Sequence, residues 1–202
     1  MDYSSFFLTY YVFFILFFDF LVLSFTGVCY IFRSLGIMGM MKKFGMNNPG
    51  TAFVPIYGEY LFGKVAEESA LRFNGRKPLP FGKIMLFGKA GYAAFVFIFS
   101  LLWVVISAFL PAMKGMASGA MIALLVIMCG LTLIASLAAV AVTAFEYIAL
   151  YNVYNCFAPD NAVMFTVISI LVNVAMPFLL FSIRNKEPLS PVIDVDPESE
   201  PQ

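Results

Sequence analysis

A single aspartate, Asp19, interrupts an otherwise apolar run from Phe6 to Phe32. It lies thirteen residues from either end of that run, since 19 − 6 and 32 − 19 are both 13. An ionisable side chain in the middle of a hydrocarbon-length segment is expensive, so it points to a buried partner or to a transported ion. Asn173 holds the same central position in a later apolar run, Ala162 to Ile183. Pro177 follows four residues on, which takes the intrahelical donor from the Asn173 carbonyl. Thr132 and Ser136 bring two hydroxyls to a similar depth in a third run. Asp19, Asn173, Thr132 and Ser136 thus form a candidate midplane site. Its chemistry is either an oxygen-rich proton or cation site or hydrogen-bonded glue between helices.

A second candidate pair, Lys89 and Glu146, falls near one end of two other runs, where an ion pair would lower the cost of both charges. Beyond Glu146, Tyr147, Tyr151 and Tyr154 recur at helical spacing with Asn152 and Asn155 to one side, the pattern of an aromatic belt closing a span. Ala135, Ala139 and Thr143 form a ridge of small residues suited to close helix packing.

These residues sit in a chain that is 62% hydrophobic and only 12% charged, well outside the range of soluble domains. Lipid is the solvent that accepts such a surface. Four runs are long enough to span it: about 6–32, 84–110, 120–145 and 162–183. The expected fold is an all-α integral membrane protein with four transmembrane helices over residues 1–184. Residues 185–202, acidic and Pro-rich, are expected to form a disordered tail. The N-terminal run is too long, and too poor in basic residues ahead of it, for a cleavable signal.

Arg33, Lys42, Lys43, Lys64, Arg72, Arg76, Lys77 and Lys83 crowd the segment between the first two runs. That bias places the segment in the cytoplasm and the N-terminus outside. Four spans then place the C-terminus outside too, against the weaker pull of Arg184 and Lys186.

Chemistry that needs histidine is excluded outright, because the chain has none. No paired acid/base set, phosphate loop, metal cluster or nucleophile with a neighbouring base is present, so neither an enzyme nor a cofactor nor a metal is expected. Cys29, Cys129 and Cys156 read as small apolar residues rather than a disulfide framework. A net charge of zero argues against nucleic acid.

Between the first two runs, "GMNNPGTAFVPIYGEYLFGKVAEE" is too polar to cross a bilayer and too apolar for a solvated loop. As a helix it lines up Phe53, Ile56, Tyr57, Tyr60 and Leu61 in one stripe, with Pro55 near the start and Glu59 on another face. The expectation is an interfacial helix over about 51–66, or an equivalent cap packed on the bundle, forming a collar at the inner membrane surface. The run "NNPGTAFVPIYGEYLFGKV" resembles a motif of a family of small multi-pass bacterial membrane proteins of unknown function. In that family a Pro-Gly or Gly-rich turn leads into I-P-x-Y-N-x-Y after the first span. Pro49, Gly50, Pro55, Tyr57 and Tyr60 match it, and Gly58 stands where the family carries Asn. The resemblance covers about twenty residues and implies a bacterial cell-membrane protein without assigning an activity. The functional expectation is a non-enzymatic accessory or assembly protein whose collar meets the lipid bilayer or another membrane protein. The alternative is a small proton- or cation-coupled transporter or channel component built on Asp19.

Overall fold

A computed structural model describes residues 3–75, 78–109 and 118–190 of the chain, and among them there is no strand. The order is α1 (Tyr3–Lys43), a 3-10 turn (Pro49–Phe53), α2 (Tyr57–Asn74), α3 (Phe81–Phe109), α4 (Ser118–Phe157), a second 3-10 turn (Pro159–Asn161), α5 (Ala162–Leu171) and α6 (Ala175–Ile183). Three of these helices are long and apolar enough to cross a membrane: α1, α3 and α4. Two of them overshoot. At 1.5 Å per residue, the 41 residues of α1 and the 40 of α4 each run about 60 Å, twice a hydrocarbon core. Arg33 ends the apolar run, but no breaker follows until Gly45, at φ +66°, so α1 continues through Lys43.

The expected fourth span is not one helix. Residues 162–183 form α5 and α6, ten and nine residues long, separated at Val172–Val174. The cause is Pro177, whose ring displaces the carbonyl four residues back, that of Asn173. The two helices double back on each other. Tyr154 on α4 meets Phe165 and Ser169 while Tyr147, two turns earlier, also reaches Ser169, so α5 runs antiparallel to α4. Phe32 of α1 packs on Phe178 and Phe181 at ring separations of 5.0 and 4.7 Å. A Cβ added to Gly36 would sit 2.9 Å from Leu180, and one on Gly39 2.8 Å from Arg184, so α6 runs parallel to α1. The chain beyond α6 therefore returns to the end where α4 finishes: Leu189 N–H donates to the Cys156 carbonyl over 2.9 Å, and Glu187 pairs with Lys43. Residues 191–202, most of the expected tail, lie outside the described residues.

The segment between α1 and α3 folds back in the same manner. Asn48 in the left-handed region starts the 3-10 turn, which lies against α1 with the Tyr30 hydroxyl donating to the Phe53 carbonyl, 2.8 Å. At Ile56, φ +67° and ψ −47°, the chain makes a γ-turn closed by Tyr57 N–H to the Pro55 carbonyl over 2.7 Å. Positive φ is strained for a β-branched residue. Only then does α2 begin, so Phe53, Pro55 and Ile56 precede the helix that the apolar stripe led us to expect over 53–61. α2 runs antiparallel to α3. A Cβ on Gly63 would lie 2.5 Å from the Cα of Gly82, a backbone contact that only two glycines permit. Glu67 caps α3 by accepting from Gly82 N–H at 2.8 Å.

Nearly all of the tight packing lies in one half of the molecule, with Met128 of α4 the exception among the described residues. Ile37, Met40 and Met41 of α1, Phe62, Val65 and Ala66 of α2, Met85 of α3, Leu150, Val153 and Tyr154 of α4, and Leu180 and Ile183 of α6 share one core. Each fully buried large side chain there contributes about 1.5–3 kcal/mol in transfer terms. In the other half, every residue from Tyr10 to Val28 is exposed. Phe95 and Phe99 of α3 and Ala135 and Ala139 of α4 are part-covered, while most of the remaining positions there are open. The three cysteines are free, with Cys156 buried and Cys129 exposed.

Candidate functional site: a four-charge ring at the base of the exposed helices

Where the packed half gives way to the exposed half, one charged residue from each of the first four helices converges. Arg33 comes from α1, Glu59 from the first turn of α2, Lys89 from α3 and Glu146 from α4. The Arg33 guanidinium is bidentate to Glu59, with Nη1 to Oε1 at 2.6 Å and Nη2 to Oε2 at 2.7 Å. Its Nη2 also reaches Glu146 Oε1 at 2.8 Å. Lys89 Nζ closes the ring, 2.8 Å from Glu146 Oε2 and 3.1 Å from Glu59 Oε2. Signs alternate around the ring and sum to zero. Side-chain exposure is 17% for Arg33, 19% for Glu59, 28% for Lys89 and 13% for Glu146, so the charges are largely withdrawn from solvent and satisfy one another. The Arg33 guanidinium also lies 5.3 Å from the ring centre of Phe62, and its Nε is buried with no hydrogen-bond partner. Planar, bidentate arginine suits this junction, where a lysine would offer a single point of charge.

Two apolar turns flank the ring at the same level. Phe53, Val54, Ile56 and Tyr57 precede Glu59 and are all exposed; Leu171, Val172 and Val174 at the α5–α6 turn are exposed as well. The level of the second turn follows from Tyr147, adjacent to Glu146, whose hydroxyl donates to the Ser169 carbonyl at 3.5 Å. Above this level, among the described residues, only α1, α3 and α4 continue. The shortest of them, α3, still has Ala90–Phe109, about 30 Å of helix.

Lys89 and Glu146, paired from sequence, do meet. Arg33 and Glu59 were not foreseen as their partners. Arg33 read as one of eight loop cations, and Glu59 as the water-facing side of an amphipathic helix. The structure inverts that face: Glu59 turns inward, Ile56 and Tyr57 outward, Tyr60 is half-buried, and Leu61 is buried at 7% exposure. The signal that could have found Glu59 was its place as the one acid in the first turn of α2, beside three helices that each carry a charge at matching depth.

The midplane quartet is not brought together. Thr132 and Ser136 donate to carbonyls of their own helix, Met128 and Thr132, at 2.8 and 2.9 Å. Asn173 lies at the hairpin turn, five residues from Phe178, while Asp19 lies thirteen from Phe32, to which Phe178 is packed. That leaves the two apart by roughly 12 Å along the axis. Among the described residues no hydrogen bond or ion pair reaches Asp19. The tyrosine belt is also divided: Tyr151 is exposed, while Tyr154 is buried with its hydroxyl 3.0 Å from Ser169 Oγ. Among the described residues no group of three metal-ligating side chains occurs.

The fold and site define an all-helical chain with three helices long and apolar enough to cross a membrane, joined below by a charge ring. Compared with family models, with curated proteins and with solved structures, the chain matches none.

Proposed function

We propose that the protein is a non-enzymatic accessory protein of the bacterial cell membrane, anchored by three spans and seated on the inner membrane surface through two apolar turns. The observation that carries this reading is the coincidence of level. The charge ring, the 53–57 turn and the 171–174 turn all stand where three bare apolar helices leave the packed half. Charges belong at the boundary, and apolar turns beside them enter the headgroup layer, where burial of a few exposed side chains stabilises docking. The α1, α3 and α4 segments above then fill the hydrocarbon, and the packed helices form the collar. Three spans put the N-terminus outside and both the first loop and the chain after α6 in the cytoplasm. This places Arg184 and Lys186 on the same side as the basic loop and removes the conflict that four spans created. The motif resemblance supports the bacterial, multi-pass part of the reading.

The test uses depth-dependent quenching. With the single tryptophan, Trp103, replaced by Phe, a tryptophan is introduced at Val54 or at Val172 and the protein is reconstituted with lipids brominated at different chain depths. Strong quenching from shallow bromines at both positions is expected. Emission that no bromolipid quenches sinks the docking. Reporter fusions after Gly75 and at the C-terminus should both read cytoplasmic, and an exterior C-terminus would restore four spans.

A further inference from the structure

Below the ring level, α2 and the α5–α6 hairpin pack against α1 and α4; above it, every α1 residue from Tyr10 to Val28 is exposed. One stripe of α4 records the change. Its lower members, Tyr147 and Tyr154, are covered by α5 through Ser169 and Phe165. The same stripe continues upward at three- and four-residue spacing through Thr143, Val140, Ser136 and Thr132, all exposed. On α1, Asp19 lies fourteen residues above Arg33, which brings it to within about 40° of the face that meets α2 and α4 through Arg33. Asp19 is exposed and unpaired. The exposed half therefore contains a slot walled by α1 and α4, floored by the two apolar turns, with a carboxyl group on one wall and hydroxyls on the other.

We infer that this slot receives a single transmembrane helix of another protein, one that carries a basic side chain near its middle and ends at the inner membrane surface. Charge complementarity selects the partner: an acyl chain leaves Asp19 unsatisfied, and an acid in hydrocarbon seeks a cation or donor. A second copy of this chain fits poorly on two counts. It would set Asp19 near Asp19, and its α1, which continues through Lys43, would run into the turns that close the slot below. A single span that stops at the turns meets neither obstacle. This inference rests on the three-span accessory reading and supplies its partner class.

The experiment uses full-length protein in liposomes, with dye on the protein and on synthetic membrane-spanning Leu/Ala peptides of about 22 residues, long enough to cross the core. One peptide carries a central Lys, and a control has none. Energy transfer should show the Lys peptide associating roughly tenfold better than the control, the order an interhelical polar contact supplies in lipid. Asp19→Asn should reduce that preference, and Asp19→Leu should remove it. Because Asp19 is exposed and has no hydrogen-bond or ion-pair partner among the described residues, both variants should keep wild-type thermal stability, which is measured alongside. Equal association of the two peptides with the wild-type protein overturns the inference, as does Asp19-dependent transfer between two copies of the protein. Bromolipid quenching at Val54 and Val172 is independent of this result, so failure of the slot and failure of the docked collar are told apart.

Discussion

The two halves of this molecule are built from the same helices for different solvents. In the exposed half, α1 carries Phe13, Phe14, Phe17, Phe18, Phe20 and Phe25, all turned outward. In the packed half the same helix carries Ser34, Gly36, Ile37, Met40 and Met41, all buried. Bulky rings stand where no other part of the described chain packs and shape is not matched. Small and pliable residues serve where another helix must approach to backbone distance, as at Gly36 and Gly63. Along α1 the difference teaches that hydrophobicity alone does not locate the core; on that helix the small and pliable residues mark it. It also predicts unequal tolerance, first between the halves and then between covered and open positions within the packed one.

The largest effect is expected at the junction. Arg33→Met removes the guanidinium that neutralises Glu59 and Glu146 together and leaves Lys89 facing two carboxylates. Breaking a buried charge arrangement on one side costs about 3–5 kcal/mol, read as a fall in thermal stability in detergent. The double variant Arg33→Met with Glu59→Gln should recover part of that loss, because one of the stranded charges is gone. In the exposed half, Phe17→Leu should change stability by less than about 0.5 kcal/mol. If Arg33→Met proves as mild as Phe17→Leu, the ring does not hold the halves together.

Next come the glycines. A methyl on Gly63 meets the Gly82 backbone at 2.5 Å, whereas one on Gly27 meets nothing within 4 Å. Gly63→Ala must therefore push α2 from α3, an overpacking cost of about 1–3 kcal/mol. Gly27→Ala should be neutral or slightly stabilising through helix propensity. Equal effects at the two sites would mean that the halves are equally loose.

Much of this was legible in the sequence, and the illegible part has a physical cause. Pro177 marked the carbonyl of Asn173 as freed, although the run around it read as one span, and the depths of Lys89 and Glu146 pointed to their meeting. Periodicity, however, assumes one boundary between oil and water. It assigned Glu59 to water because the polar face of a surface helix ordinarily meets water. In this fold that face meets cations from neighbouring helices, a long-range fact that no local window contains. The same limit hid the hairpin, since twenty-two apolar residues read alike whether they form one long helix or two short ones that double back. Asp19 was legible as an anomaly, but Asn173 as its partner was not excluded until the hairpin set their separation.

A smaller contrast lies between α4 and α5. Tyr154→Phe deletes a buried hydroxyl but leaves Ser169 bonded to its own helix through the Phe165 carbonyl at 2.8 Å. With the partner still satisfied, the loss should be about 0.5–1.5 kcal/mol, measurable as a lowered midpoint. Tyr151→Phe, exposed on the same helix, should show none.

The smallest effect is expected on α2, where Lys64 and Glu67 form a pair at 2.6 Å with the lysine side chain 39% exposed. Solvent screens such a pair, so Lys64→Met should cost no more than about 0.2–1 kcal/mol. Glu67→Ala should cost more, because Glu67 Oε1 also accepts from Gly82 N–H at the start of α3. The hydrogen bond to Glu67 holds the Lys64 pKa above its ordinary value, and the carboxylate charge adds to it against the opposing effect of partial burial. The sign of the pH dependence follows. A cation with a raised folded-state pKa adds stability that is complete below the ordinary lysine value of about 10.4, and loses it as pH rises through the higher folded value. The wild type should therefore lose slightly more stability than Lys64→Met between pH 9 and the alkaline limit, while both behave alike from pH 6 to 8. Parallel curves across the whole range would show that the pair contributes nothing in the folded state and that Glu67 acts on α2 and α3 through its cap alone.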